Sequence, residues 1–254
     1  MENTVGSNGF ENFEKRNSTL FQVSLLQALS NGDYCGSVTV AELKRHGDTG
    51  LGTFHRLNGE LIMLDGEVYR ACGDGNVEAV PESETSPFSV VTFLKTDASM
   101  ALKDLYDYDE LTDELNKTVE ARGKNRFYMI RIDGVFKRMN VRSVPAQNEP
   151  YRRLIEVLQY GQTFFDYEGV EGTLVGIYCP PFMSYLNAVG WHLHFISKDR
   201  SKGGHVLDLS ISDAVLTWCD IDLLELKLPQ SERFGSFDLS IDQSAEIEKI
   251  EKNN

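Results

Sequence analysis

The chain has 254 residues, of which 41% are hydrophobic and 10% aromatic, and its formal net charge at pH 7 is −14. A chain of this length and composition can bury an extensive core, as one large domain or as two smaller ones. The excess of carboxylates repels phosphate groups, so we expect neither a nucleic-acid partner nor an anionic membrane surface.

The first residues are polar and contain no apolar segment followed by a cleavage site, so we expect a flexible lead-in over residues 1–20 and no secretory signal. Residues 172 to 197 contain no Asp, Glu, Lys or Arg, but Pro180, Pro181 and two histidines interrupt them. A membrane-spanning helix tolerates that combination poorly, and the segment is interpreted as buried strands. The four cysteines form no C-x-x-C pair, which favours reduced thiols and a cytoplasmic protein.

Apolar residues at helical spacing predict short helices in LFQVSLLQALSNG and in SVTVAELKRHGDTG, the second entered through Thr39. Turn dipeptides between β-rich runs predict hairpins at Asn58-Gly59, Asp65-Gly66 and Asp133-Gly134. Two more helices are predicted in the acidic segment MALKDLYDYDELTDELNKTVEAR and in PYRRLIEVLQYGQ, and strands follow them. Runs of strands broken by short helices indicate an α+β fold.

The first predicted hairpin has a consequence for its side chains. A two-residue turn at Asn58-Gly59 would pair Leu57 with Glu60 and place Thr53, His55 and Glu60 on one face of the sheet. A carboxylate there would lie beside apolar neighbours. The alternative is an exposed glutamate at the tip of a hairpin.

Three of the five histidines lie in WHLHFISKDRSKGGHVLDL. His192 and His194 are two residues apart and share one face of a strand. A hairpin centred between Asp199 and Arg200 would place His194 directly opposite His205.

Three converging imidazoles with one open position are typical of a catalytic zinc site, whereas structural zinc sites are closed by four protein ligands. Zn²⁺ is therefore the predicted ion, although Co, Ni, Cu and Fe accept the same ligands. Core histidines without a metal are the alternative. His46 and His55 are predicted not to be ligands.

Other groups are candidates for chemistry beside such an ion. Arg142, in NVRSVP, could bind a carboxylate through its guanidinium fork, although a surface charge is the simpler interpretation of any single arginine. Glu60 and a glutamate near the C-terminus are acid/base candidates, which periodicity alone does not rank above the other acidic residues.

Several blocks resemble those of the alpha-acetolactate decarboxylases: GTFHRLNGELIMLDGEVY, IDGVFKRMNVRSVPAQNEPY, GTLVGIYCPPFMSYLNAVGWHLHFISKDRSKGGHVLDL and the closing EIEKIE. The likeness runs from about Phe21 to Glu251. It implies a cytoplasmic, zinc-dependent homodimer with two related mixed β-sheet units and a few short helices. We place these units at residues 21–165 and, with the metal site, at residues 166–240, followed by a tail over residues 241–254 that reaches the active site.

The resemblance also implies roles for particular residues. Its metal ligands fall on His192, His194 and His205, and its arginine falls on Arg142. Its first glutamate falls on Glu60, where this chain has Asn-Gly-Glu in place of the family's usual Asp-Gly-Glu. Other implied site residues are Thr53 and Glu251, with Glu248 as the fallback for Glu251.

The implied reaction converts (S)-2-acetolactate, a 2-hydroxy-3-keto acid, to (R)-acetoin and CO₂ through a zinc-stabilised enediolate. Arg142 would bind the departing carboxylate, and a protonated glutamate would deliver a proton to one face. A zinc hydrolase or hydratase with a metal-bound water is the alternative, and it needs no arginine. A non-catalytic protein with a structural metal is a third possibility, which predicts no cavity beside the ion.

Overall fold

The computed structural model describes residues 18–252, and the side chains of residues 18–250. Most of the predicted lead-in, residues 1–17, lies outside the described residues, whereas Thr19 and Leu20 already belong to the first strand. The strands are β1 Thr19–Val23, β2 Val38–Thr39, β3 Thr49–Thr53, β4 Glu60–Leu64, β5 Glu67–Ala71, β6 Val77–Ala79, β7 Thr85–Ser86, β8 Ser89–Thr92, β9 Ala98–Leu105, β10 Phe127–Ser143, β11 Thr163–Cys179, β12 Gly190–Ser197, β13 Gly203–Ile221 and β14 Leu223–Lys227. The helices are α1 Leu26–Ser30, α2 Val40–His46, α3 Tyr108–Arg122, α4 Leu154–Gly161, α5 Glu232–Ser236 and α6 Ser244–Lys252.

The strands form two large sheets and one small one. The first sheet has seven strands in the order β14-β1-β8-β3-β4-β5-β6, and β1 runs parallel to β14. The second has five strands in the order β10-β11-β12-β13-β9, all antiparallel. Strands β2 and β7 form a two-stranded ribbon. These sheets and the short helices confirm the predicted α+β class.

The second sheet closes on itself. Strand β10 pairs with β11 on one side and with β13 on the other, and β12 pairs with both β11 and β13. The ring interior is filled by a cluster that includes Ile130, Phe136, Leu174 and Phe195. Closure leaves one face of these strands for the ring and the other for contact with the first sheet.

The two large sheets pack against each other through a second apolar cluster. Leu51, Ile62 and Val90 from the first sheet meet Val175 and Ile196 from the second. Because successive side chains of a strand point to opposite faces, the side chains of β12 are divided between the ring interior and the interface of the two sheets. Its odd-numbered residues fill the ring, whereas the side chains at 192, 194 and 196 face the first sheet.

The N-terminal prediction was partly wrong. LFQVSLLQALSNG was predicted as one helix, but β1 occupies Thr19–Val23 and only Leu26–Ser30 is helical. Strand β1 lies between β14 and β8, and both neighbours supply backbone hydrogen-bond partners that outweigh local helical spacing. Helix α2 is confirmed, with the Thr39 hydroxyl accepting a hydrogen bond from the Glu42 N–H.

Of the three predicted hairpin turns, only one is confirmed. At Asp65-Gly66 a two-residue turn pairs Leu64 with Glu67, and both turn residues have positive φ angles, 53° and 79°. The turn at Asn58-Gly59 is wrong, because β3 pairs Thr53 directly with Glu60.

A short 3₁₀ turn at His55–Leu57 explains that wrong register. Arg56 and Leu57 adopt positive φ angles of 65° and 56°, so the chain loops out before it reaches Gly59. Thr53 and Glu60 still share a face, as predicted. His55 does not join them, and its exposed ring accepts a hydrogen bond from the Gly36 N–H.

The predicted turn at Asp133-Gly134 is also wrong, because β10 runs without a break from Phe127 to Ser143. Both flanks of this strand are occupied over nearly its whole length by β11 and β13. A Cβ at Gly134 would lie 2.4 Å from the Cβ of Ala214, so glycine serves close strand approach here.

The predicted boundary between two units at residues 165/166 does not coincide with a boundary between the two large sheets. That boundary falls inside β11, and β10 pairs with strands from the C-terminal half. Strand β14 returns to the first sheet. As a statement about independent folding units, the division stays a prediction.

Residues 172–179 and 190–197 of the uncharged segment belong to β11 and β12, which confirms the predicted buried strands there. Residues 180–189 between them form a 3₁₀ turn at Pro181–Met183 and a partly exposed loop, so the prediction is wrong for that part. Among residues 18–252 the structure contains no helix that is both long and apolar enough to cross a membrane.

Close packing between the sheets can be tested at Gly203. A Cβ there would lie 2.8 Å from the Phe195 carbonyl oxygen and 3.3 Å from the Ile62 Cδ1. We expect Gly203→Ala to lower the free energy of unfolding by about 1–3 kcal/mol, because the added methyl group overpacks this interface. Urea denaturation measures the change. Gly235→Ala is the control, since a Cβ there meets nothing within 4 Å, and equal stability of the two variants would contradict the prediction.

Candidate metal centre and its cavity

The three clustered histidines lie between the two large sheets. His194 and His205 are direct cross-strand partners on β12 and β13, as the spacing predicted. His192 lies two residues before His194 and projects from the same face of β12. All three are buried, with exposed fractions of 6% for His192, 1% for His194 and 4% for His205.

The imidazole nitrogens converge on one point. The Nε2 atom of His192 lies 3.1 Å from Nε2 of His194 and 3.1 Å from Nδ1 of His205. One ligand atom from each ring can be chosen so that all three lie within 4.8 Å of one another. Two nitrogens bound to one tetrahedral zinc ion at about 2.0–2.1 Å are roughly 3.4 Å apart. The three side chains therefore fit a single metal ion.

A backbone contact from the first sheet orients one ligand. The Nδ1–H group of His194 donates a hydrogen bond of 2.8 Å to the Leu61 carbonyl oxygen. This bond fixes the tautomer, so the Nε2 lone pair faces the other two rings. An imidazole held through its second nitrogen is the usual arrangement around a protein-bound metal.

Burial also keeps the rings of His192 and His194 neutral. Desolvation, followed by the nearby positive charge of Arg142, lowers the pKa of His192 to about 3. Desolvation and the proximity of His192 hold the pKa of His194 well below its usual value. A neutral imidazole has the free lone pair that metal coordination requires.

A carboxylate lies directly beside the cluster. Glu60 opens β4, and its Oε2 atom is 3.5 Å from Nε2 of His194. Its side chain is only 14% exposed. Thr53, its partner on β3, is 4% exposed and donates a hydrogen bond of 2.8 Å to the Gly59 carbonyl oxygen. This hydrogen bond holds Gly59, the last residue of the loop before Glu60, in place.

The predicted arginine reaches the same place from β10. Arg142 is the cross-strand partner of His205 and is 4% exposed. Its Nη1 group donates a hydrogen bond of 3.3 Å to the side-chain oxygen of Gln162. A buried guanidinium is a strong binding group for a carboxylate, because water does not screen it.

These polar groups line one cavity that is partly open to solvent. Its polar lining includes Thr53, Glu60, Arg142, His192 and His205. The apolar lining comprises Leu26, Leu29, Leu57, Phe88, Val144, Leu154, Leu158 and Ile250. The cavity thus brings a histidine cluster that could hold a metal ion, a carboxyl group and a guanidinium together against an apolar wall.

The C-terminal helix α6 supplies part of that wall through Ile250. Glu246 on this helix accepts hydrogen bonds from Ser30 and from Arg153, at 3.1 and 2.8 Å. Glu248 is exposed. Glu251 belongs to α6, but its side chain lies outside the described residues, so its predicted role stays a prediction.

Sequence reasoning missed three features of the site. Gln162 follows α4 in a segment with no recognisable motif, and only its contact with Arg142 identifies it. The Leu61 carbonyl is a backbone group, which no residue pattern reveals. Ile250 was missed because the sequence does not show which face of the short helix α6 packs against the cavity.

Comparisons with known proteins identify the family of this chain. A family model described as alpha-acetolactate decarboxylase matches residues 20–241. An alpha-acetolactate decarboxylase from Methanosarcina mazei is 40% identical over 235 residues, covering 92% of this chain and 80% of that protein. One from Bacillus licheniformis is 36% identical over 241 residues, covering 94% of each. The crystal structure of alpha-acetolactate decarboxylase from Bacillus subtilis matches with a TM-score of 0.88 and 34% identity, covering 92% of this chain and 99% of that one. The chain belongs to the alpha-acetolactate decarboxylase family.

Proposed function

We propose that this protein is a metal-dependent decarboxylase that converts (S)-2-acetolactate to (R)-acetoin and CO₂, with Zn²⁺ held by His192, His194 and His205. The main support for this proposal is that His192, His205 and Arg142 line the same cavity. Family membership supports the reaction, and the three buried nitrogens support the metal.

The chemistry needs an electron sink and a carboxylate-binding group. When bound, the metal ion supplies a Lewis acid that draws electron density from the substrate's ketone. Arg142 binds the carboxylate and holds the C–CO₂ bond across the plane of that ketone, where its electrons can delocalise as CO₂ leaves. The apolar wall excludes water and favours release of the charged group as neutral CO₂.

Protonation completes the reaction. Glu60 lies beside His194 and can hold a proton close to the reacting carbons. Glu251 is the second proposed acid, delivered by α6, with Glu248 as the fallback. Protonation from one side of the cavity would give a single enantiomer of acetoin.

The position of Arg142 favours this reaction over a zinc hydrolase or hydratase. A metal-bound water attacks without a carboxylate-binding group, yet Arg142 is cross-strand partner to His205. A purely structural metal is disfavoured because His192 and His205 open onto the cavity.

We also propose that the protein is a cytoplasmic homodimer. The proposal of a dimer is based on the family resemblance alone. The compartment is supported by the cysteines, which are all free thiols and suit a reducing environment.

Metal removal tests the first element of the proposal. Dialysis against a chelator should abolish acetoin formation, and added Zn²⁺ should restore it, because the three imidazoles alone cannot accept the developing charge. His194→Ala should lose bound metal, whereas His55→Ala, at an exposed ring outside the cluster, should keep it. Metal analysis and an acetoin assay give the readout, and full activity in metal-free protein would refute the scheme.

The carboxylate-binding role can be tested with Arg142→Lys. The shorter, non-forked cation should lower kcat/KM about 10- to 100-fold, the scale of hydrogen bonds to a charged group, and leave the metal content unchanged. Arg138→Lys is the matched control, since Arg138 lies on the same strand and is 52% exposed. Near-normal kinetics in Arg142→Lys would show that another group binds the carboxylate.

The proton donor can be located with three single substitutions on α6. Glu251→Gln should reduce kcat about 10²- to 10⁴-fold, the usual contribution of a general acid. Glu246→Gln should have a small effect, because Glu246 is engaged with Ser30 and Arg153. A large loss in Glu248→Gln with little change in Glu251→Gln would transfer the role to Glu248.

A further inference from the structure

Arg142 has a neighbour whose chemistry suits a role in orienting it. Gln162 is half-buried, and its side-chain oxygen accepts the 3.3 Å hydrogen bond from Nη1 of Arg142. The guanidinium is planar, so a fixed bond to one N–H group also fixes the plane of the others.

The backbone holds Gln162 in register with the site. Arg142 pairs with Phe164 across β10 and β11, and Gln162 precedes Phe164 by two residues in extended conformation. Residues two apart share a face, so Gln162 is a diagonal neighbour of Arg142. On its other side Arg142 pairs with His205, which places the guanidinium between the amide and the histidine cluster.

The residue also ends α4, whose Leu154 and Leu158 form part of the apolar wall. The side chain that contacts the guanidinium thus comes directly after the helix that supplies part of the wall.

The charge of the side chain that contacts Arg142 matters as much as its position. A glutamate would orient the guanidinium equally well but would cancel its charge, and the cavity would then attract an anion less. An amide orients the group and adds no charge. In a chain with net charge −14, retaining this local cation is needed to bind an anionic substrate.

We propose that Gln162 is a positioning residue that orients the Arg142 guanidinium for the substrate carboxylate and adds no negative charge beside it. This inference rests on the proposed function for the identity of the substrate, although the carboxylate-binding step can be measured without turnover.

Ligand binding to the metal-loaded protein provides the test. Titration calorimetry with lactate, a 2-hydroxycarboxylate, and with acetoin, its neutral counterpart, separates anion binding from general packing. Gln162→Met keeps the size and removes the acceptor, and it should weaken lactate binding about 10-fold, the scale of one hydrogen bond to a charged group. Acetoin binding and metal content should stay within about twofold, since neither depends on the guanidinium.

Gln162→Glu keeps an acceptor but adds a negative charge, and should weaken lactate binding more than Gln162→Met does. Gln159→Met and Gln159→Glu, on the exposed face of the same helix, are the matched controls and should bind lactate as the wild type does. Wild-type lactate affinity in Gln162→Glu would overturn the requirement for an uncharged partner.

A double variant tests that Gln162 acts through Arg142. In an Arg142→Lys background, Gln162→Met should cost less than about twofold in lactate affinity, because the group that it orients is gone. A full 10-fold loss in that background, or equal weakening of lactate and acetoin in the single variant, would overturn the positioning role. If wild-type protein makes no acetoin from acetolactate, the proposed function fails while the lactate measurements still decide the role of Gln162.

Discussion

The cross-strand pairing of His194 with His205 is the constraint on which the histidine cluster depends. Because side chains alternate with a period of two, a slip of one residue in β12 would turn the H-x-H pair into the ring interior. The turn between β12 and β13 holds the register: the Asp199 carboxylate accepts hydrogen bonds from Ser197 and Ser201, which lower its pKa to about 2. The geometry of the histidine cluster thus depends on a turn at the protein surface.

Burial gives the cavity its electrostatic character. Desolvation keeps His192 and His194 neutral, so these imidazoles offer lone pairs and no competing charge. Arg142 and a divalent ion would be like charges in one small space, which is costly unless anions accompany them. Glu60, whose Oε2 lies 3.5 Å from Nε2 of His194, and a substrate carboxylate are the acidic groups that could offset this charge. The site is therefore balanced for an anionic ligand rather than a neutral one.

Sequence patterns predicted those parts of the site that depend on period-two alternation and short turns. The pairing of His194 with His205 and the turn at Asp65-Gly66 needed only local spacing. The register near Asn58-Gly59 failed because Arg56 and Leu57 take positive φ angles, which are uncommon for such residues. At β1 and β10, neighbouring strands distant in sequence outweighed helical spacing and a turn dipeptide, respectively.

The cavity has a polar floor and an apolar wall of different origin. The floor projects from strands β3, β4, β10, β12 and β13, where hydrogen-bonded register fixes each side chain. Most of the wall comes from α1, α4 and α6, short helices that pack together through Leu29, Leu158 and Ile247. Helices this short are unstable alone, so their positions arise from docking, which no single segment encodes. Spacing could therefore identify the three histidines, whereas Glu60 and Arg142 were singled out only by the family resemblance. The shape of the space above them could not be predicted from any single segment.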